Sequence, residues 1–175
     1  MDLKTSLFFL LLTCYLASST STFALSTDTK QPIKIEADKA IIDDISGVAT
    51  YEGNVVVTQG SIQINANKVT LNYSEKQTLE KVVAEGEPAH FKQTPEGGKS
   101  DIQAKAKRME YFADVNVIQL SEGAELWQGK DTFTGQRIKY NTQNGVIEAD
   151  KGDSKEGRVS VVIQPRSHTT EKDKR

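Results

Sequence analysis

Apolar and polar side chains alternate along most of the chain between Gln31 and Gln164. Successive side chains of a β-strand point to opposite faces, so a period of two residues predicts strands with one apolar face. The alternating positions are Ile33 and Ile35; Val55 and Val57; Ile62, Ile64 and Ala66; Val69, Leu71 and Tyr73; and Val159, Val161 and Ile163.

Short clusters of turn-forming residues separate these segments, and their close spacing predicts antiparallel hairpins. The clusters are Asp43–Gly47, Gly60–Ser61, Ser74–Gln77, Pro95–Gly98, Gly129–Asp131, Asn144–Gly145 and Gly152–Gly157. Two other segments, Leu79–Val83 and Gln103–Phe112, contain apolar spacings or residue types that suit a helix. We predict strands for both, because 106–111 matches 135–140, which lies next to an evident hairpin.

Two short motifs recur along the chain and indicate repeated use of one β unit. Ala-x-Lys/Arg appears at 37–39, 66–68 and 106–108, with a glycine variant at 135–137, and Glu-Gly appears at 52–53, 85–86 and 122–123. A longer similarity relates 51–60 to 121–129 and 66–71 to 135–140. The repeats predict an all-β fold with two similar halves stacked in an elongated sheet, whose apolar faces could curl around a trough.

The first 24 residues resemble a secretory signal peptide, with Lys4, the apolar stretch Leu7–Ala17 and a small residue, Ala24, at the expected cleavage site. We therefore expect three segments: a cleaved signal at 1–24, one β domain at 25–165, and a disordered polar tail at 166–175. The single cysteine, Cys14, lies in the expected signal, so the mature chain would have no disulfide.

Composition and charge argue against several classes of function. The 175-residue chain has a formal net charge of −2, so no basic surface points to nucleic acid. The two histidines, His90 and His168, are far apart in sequence, and Asp38, Asp43 and Asp44 lie near turns, where carboxylates are usually solvated. We expect no catalytic residues, no metal site and no cofactor, and the repeated β pattern favours a binding or conducting protein over an enzyme.

The apolar face of such a sheet has two interpretations. It could fill an ordinary sandwich core, or it could line a groove for acyl chains, which gain about 0.8 kcal/mol per buried CH₂. Most inward candidates are valine, isoleucine and alanine, which suit either role. Composition and periodicity leave both open.

Several ordered blocks of the chain resemble the OstA-like family of LptA-type bridge proteins in lipopolysaccharide export. They are 28–38, 53–69, 88–93, 109–111, 135–140 and 159–162, and they span nearly the whole expected domain. The sequence departs from the family pattern at 74–78 and around 114–116. The resemblance implies an antiparallel β-jellyroll open at both ends, located in the periplasm, that shields the acyl chains of lipid A and conducts lipopolysaccharide between the two membranes.

The resemblance also implies partners and binding residues. The expected partners are lipopolysaccharide, an LptC-like inner-membrane protein, an LptD-like outer-membrane translocon and further copies of the chain, stacked head to tail. The predicted edges for such stacking are Pro32–Ala37 and Arg158–Gln164. The family pattern marks Thr29, Ile33, Phe91 and Tyr111 as lipopolysaccharide contacts, and alternation alone adds Ile35, Val55, Ile64, Met109 and Leu120.

Two other functions fit a repeated β sheet behind an export signal. One is an envelope glycan-binding or carbohydrate-active protein, which would place aromatic and acidic side chains on the outer face. The outer positions carry mostly Lys, Gln, Asn and Thr, which weakens that alternative. The other is a carrier of a different envelope lipid, which the groove interpretation leaves open.

Overall fold

The computed structural model describes residues 28–153 and 157–165, and these form an almost entirely β structure. A single 3₁₀ turn, Asp28–Lys30, precedes the strands. The strands are β1 Lys34–Glu36, β2 Lys39–Asp43, β3 Val48–Gln59, β4 Ile62–Tyr73, β5 Leu79–Gln93, β6 Ile102–Phe112, β7 Val117–Gln128, β8 Asp131–Asn141, β9 Ile147–Asp150 and β10 Ser160–Val162. The expected signal peptide and polar tail lie outside the described residues.

One antiparallel sheet contains all of these strands, in the order β1-β3-β4-β5-β6-β7-β8-β10, with β2 also pairing with β3 and β9 with β8. The sheet does not close, so β1 and β2 form one edge and β9 and β10 form the other. The prediction of an all-β fold is confirmed, and so are the strand assignments for Leu79–Val83 and Gln103–Phe112, which lie in β5 and β6. Cross-strand pairing of one apolar face outweighs local helix propensity in both segments.

The long strands shift register at one common level, which we call the fold line. The shifts fall between Glu52 and Val55, Asn65 and Lys68, Glu85 and Ala89, Lys105 and Arg108, and Ser121 and Ala124. These shifts are bulges or related irregularities of the pairing, and such features bend strands. The fold line therefore divides the sheet into two leaves that face each other.

We call the leaves A and B. Leaf A consists of β1, 55–59, 62–66, 89–93, 102–106, 124–128, 131–135 and β10. Leaf B consists of β2, 48–52, 68–73, 79–85, 108–112, 117–121, 137–141 and β9. Every long strand contributes one part to each leaf.

The fold line explains the recurring motifs. Gly53 and Gly123 both have φ of +79°, a left-handed conformation that glycine adopts without steric strain, and the bulges require it there. The basic residue of each Ala-x-Lys/Arg motif lies beside an acidic residue: Arg108 Nη1 is 2.6 Å from Glu85 Oε1, and Arg137 Nε is 3.1 Å from Asp150 Oδ2. Water reaches both pairs, so each adds little to the stability of the fold.

The longer sequence similarity corresponds to the hairpins β3–β4 and β7–β8, which have bulges at equivalent positions. Both hairpins belong to one continuous sheet that runs from β3 to β8, and the division into leaves cuts across every long strand.

Buried apolar side chains from consecutive strands form rows on the inner face of each leaf. In leaf A, cross-strand pairing aligns Val57, Ile64, Phe91, Ala104 and Leu126. In leaf B it aligns Val69, Ala84, Met109, Leu120 and Ile138. All ten are less than 9% exposed, so the core lies between the leaves.

Candidate functional site

An apolar cavity lies between the leaves, and most of its lining comes from β3, β4 and β5. Leaf A contributes Val57, Ile64 and Phe91, and leaf B contributes Leu71, Val82 and Tyr111, among other residues. Its volume is about 40 Å³, the space of one to three water molecules. A cavity with this lining favours an apolar guest, but an acyl chain would fit only if the leaves moved apart.

The leaves make direct side-chain contact across the interior at Tyr140. The Tyr140 ring meets Phe91 edge to face, with 6.4 Å between ring centroids. Its hydroxyl donates a hydrogen bond to Gln93 Oε1 at 3.2 Å, and both residues are about 1% exposed. Burial, together with the negative charge of Asp28, raises the pKa of Tyr140 to about 12.

The same hydrogen-bonded group continues to the buried carboxylate of Asp28. Gln93 Nε2 donates to Asp28 Oδ2 at 3.1 Å, and Ser61 donates to Asp28 through its backbone N–H at 2.7 Å and its hydroxyl at 2.8 Å. Buried polar groups are costly unless they are paired in this way. The 3₁₀ turn is thereby fixed to the β3–β4 turn at the top of leaf A.

The structure brings most of the predicted contact residues to the interior. Ile33, Ile64, Phe91 and Tyr111 line the apolar cavity, although Ile33 is 38% exposed. Val55, Met109 and Leu120 are at most 1% exposed in the core, and Ile35 packs against it. Thr29 lies apart from them, exposed in the 3₁₀ turn, where its carbonyl oxygen accepts a hydrogen bond from Gln59 Nε2 at 3.4 Å.

Sequence reasoning missed four polar residues at the interior, namely Asp28, Gln93, Tyr140 and Thr142. The repeat aligned Tyr140 with Tyr111, which hinted at a shared inward orientation, and the two rings indeed lie in one row of leaf B on either side of Ile118. Burial also raises the pKa of Tyr111. Asp28 and Gln93 carried no such signal, because their partners are distant in sequence.

The edges of the sheet expose apolar side chains. On β10, Val161 is 45% and Val162 49% exposed, and on β2, Ile41 is 50% and Ile42 64% exposed. Unpaired edge strands with apolar side chains are templates for pairing with another chain. The strands β1 and β10 lie within the predicted edge segments, Pro32–Ala37 and Arg158–Gln164.

Other chemistry finds little support in the part of the chain that the structure describes. No cluster of three or more His, Cys, Asp or Glu side chains within it has the arrangement of a metal site. Over the same residues, no helix is long and apolar enough to cross a membrane.

Comparison with known proteins identifies the family. Residues 34–146 match the family described as LptA/(LptD N-terminal domain) LPS transport protein. The chain belongs to this family. The same assignment is supported by LptH, a lipopolysaccharide export system protein of Pseudomonas aeruginosa, which is 38% identical over 160 residues covering 89% of this chain and 91% of LptH.

Two further comparisons agree with it. LptA of Escherichia coli K12, also a lipopolysaccharide export system protein, is 36% identical over 165 residues, covering 93% of this chain and 86% of LptA. The crystal structure of Pseudomonas aeruginosa LptH, described as a periplasmic component of the lipopolysaccharide transport device, superposes with a TM-score of 0.74 over 79% of this chain and 99% of LptH, at 38% identity. The jellyroll-like fold expected from the sequence is confirmed.

A shorter match concerns LptD, whose N-terminal domain is named in the family description. The LPS-assembly protein LptD of Vibrio cholerae is 52% identical over 58 residues, which are 33% of this chain and 7% of LptD. A part of LptD therefore resembles this chain closely in sequence.

Proposed function

We propose that this protein binds lipopolysaccharide with its acyl chains between leaves A and B and conducts it from the inner to the outer membrane. The single observation that carries the proposal is the apolar cavity between two facing leaves in a member of a lipopolysaccharide transport family. A passive bridge of this kind needs an apolar path and performs no chemistry, so the protein is not an enzyme.

The geometry also supports a specific binding mode. Because the cavity holds only about 40 Å³, entry of an acyl chain separates the leaves, with the bulges of the fold line as the place where the strands bend. Each CH₂ that leaves water then contributes about 0.8 kcal/mol, so even a short chain offsets the loss of a few contacts between the leaves. The acyl chain first contacts the residues that line the cavity, namely Ile33, Ile64, Phe91 and Tyr111. As the leaves separate, it also contacts Ile35, Val55, Met109 and Leu120.

The exposed edges support assembly into a longer conduit. Strand β10 of one copy adds to the β1–β2 edge of the next, which places the interiors end to end, and a contact of this head-to-tail kind does not close. An LptC-like protein and an LptD-like translocon occupy the two ends. The sequence similarity to LptD supports the second of these partners. The protein acts in the periplasm after removal of residues 1–24, while 166–175 form a polar tail.

Site-specific photo-crosslinking tests the lipid path. A photoreactive residue is placed at Phe91 or Tyr111, and at Lys68 as a control, in cells that make lipopolysaccharide. Adducts with lipopolysaccharide at the two inner positions and none at Lys68 are expected. Folded, exported protein that gives no adduct at either inner position would contradict the proposal, and an adduct with another lipid would favour a different cargo.

A separate substitution tests the assembly. Val162→Asp places a charge on exposed strand β10 and should prevent strand addition. The mass measured by light scattering should increase with protein concentration for the unchanged protein and stay constant for this variant. Val115→Asp is the matched control, because Val115 is 53% exposed, similar to the 49% of Val162, but lies in the β6–β7 turn. Equal behaviour of the two variants would argue against β10 as the contact.

A further inference from the structure

A second, polar pocket adjoins the apolar cavity where the free ends of the two leaves approach each other. We call this line of approach the seam. The pocket has a volume of about 170 Å³ and lies between the β5–β6 loop, 94–101, and the β8–β9 turn, 142–146. Its lining includes Glu96, Lys99, Gln128 and Gln143. Lys99 extends across the seam, since its Nζ lies 3.8 Å from the position that a Cβ would take on Gly145.

The polar pocket and the apolar cavity share a boundary. Thr142 lines both, and Phe91 on the apolar side packs against Tyr140, which lines the polar pocket. An amphiphilic molecule with its apolar part between the leaves would therefore have its polar part close to Lys99 and Gln143.

The side chains of the pocket indicate which polar group it suits. The amides of Gln128 and Gln143 each offer donors and an acceptor, and Lys99 offers donors. Sugar hydroxyls donate and accept hydrogen bonds, so they match this mixture. A phosphate group would meet the like charge of Glu96 as well as the opposite charge of Lys99, and the pocket has no excess of positive charge to favour it.

We propose that this pocket is a subsite for sugar hydroxyl groups of a glycolipid whose acyl chains occupy the apolar cavity. The inference rests on the proposed function and adds to it a defined contact for the glycan. It also gives the seam a role, because the glycan would lie at the seam while the leaves cover the acyl chains.

Paired substitutions separate this subsite from the apolar interior. Lys99→Ala/Gln143→Ala removes two exposed side chains of the pocket and leaves intact the hydrogen bond from the backbone N–H of Gln143 to Asn141 Oδ1. The control, Lys151→Ala/Gln103→Ala, removes the same residue types at exposed positions that do not line the pocket. Affinity is measured for lipopolysaccharide that carries its core oligosaccharide and for a long-chain fatty acid, with the urea midpoint of each variant as a check on folding.

The pocket variant should bind lipopolysaccharide about tenfold more weakly and the fatty acid as the unchanged protein does, since tenfold corresponds to the loss of one or two hydrogen bonds. The control variant should match the unchanged protein for both probes, and inorganic phosphate should not compete with lipopolysaccharide. The subsite is rejected if the pocket variant keeps its affinity for both probes, or if it loses affinity for lipopolysaccharide and the fatty acid equally. The assignment of the subsite to sugar is rejected if phosphate competes with lipopolysaccharide. If the unchanged protein binds neither probe, the proposed function itself fails.

Discussion

The hydrogen bond from Tyr140 to Gln93 gives a quantitative test of how the two leaves are held together. Tyr140→Phe removes the hydroxyl and keeps the ring that packs against Phe91. Both partners are about 1% exposed, so water has little access to replace the donor, and Gln93 Oε1 loses its bond to the other leaf. Loss of a partner for a buried acceptor costs about 1–3 kcal/mol, which is the expected decrease in the free energy of unfolding.

Tyr111→Phe is the matched control. The Tyr111 hydroxyl donates to Asn116 Oδ1 at the same distance, 3.2 Å, but Tyr111 is only half-buried and its partner lies in the β6–β7 turn beside the same leaf. Water can replace this bond, so the expected loss is below about 1 kcal/mol. Urea unfolding followed by the fluorescence of Trp127 measures both variants, and the slopes should be unchanged. Equal losses, or no loss for Tyr140→Phe, would refute the assignment of this bond as a buried contact between leaves.

Three further predictions concern pH, the fold line and the core. The pKa of Tyr140 is about 12 in the folded protein and 10.0 for an ordinary tyrosine, so the unfolded chain releases this proton at lower pH than the folded protein does. The contribution of Tyr140 to the free energy of unfolding should therefore be fully present below pH 10 and decrease as the pH rises toward 12. Urea titration at each pH should show a less steep decrease for Tyr140→Phe. Gly53 and Gly123 both have a φ of +79°, so substitution of either by alanine should lower the free energy of unfolding by about 1 kcal/mol through backbone strain. Gly53→Ala should lower it further, because the new Cβ would collide with Asp38, while nothing lies within 4 Å of a Cβ at Gly123. Equal urea midpoints for the two variants would contradict this. Leu120→Ala should lower the free energy of unfolding by about 2–5 kcal/mol, since Leu120 is fully buried, and a loss below about 1 kcal/mol would show that the site collapses or is loosely packed.

Most of the inner face could be predicted from alternation and resemblance. Ile64, Phe91, Met109 and Leu120 were expected on this face and are buried there, because the period of two fixes the face of a strand residue once the strand itself is identified. Thr29 is the exception, since it lies in a 3₁₀ turn where no strand period applies. The use of the inner residues as lipid contacts stays a prediction.

The edges were predictable for a related reason. Proline and charged residues mark the ends of pairing, and the strands β1 and β10 are shorter than the predicted segments that contain them. The motifs at the fold line were visible as repeats, but their meaning was not. Their common level appears only when the strands are aligned in register, because Glu52 pairs with Lys68 and Glu85 with Arg108, each on a different strand.

The sequence by itself determined the strands, their apolar faces, the turns between them and the family, because each of these depends on local spacing or on ordered blocks of residues. Only the tertiary structure decided that every long strand bends and shares its residues between two leaves. Only the tertiary structure decided the contacts of Tyr140 with Gln93 and Phe91 as well, since Tyr140 and Gln93 are 47 positions apart in the sequence. Contacts between leaves depend on the angle of the bend at the fold line and on how the facing rows pack, and no periodicity along a single strand contains either quantity.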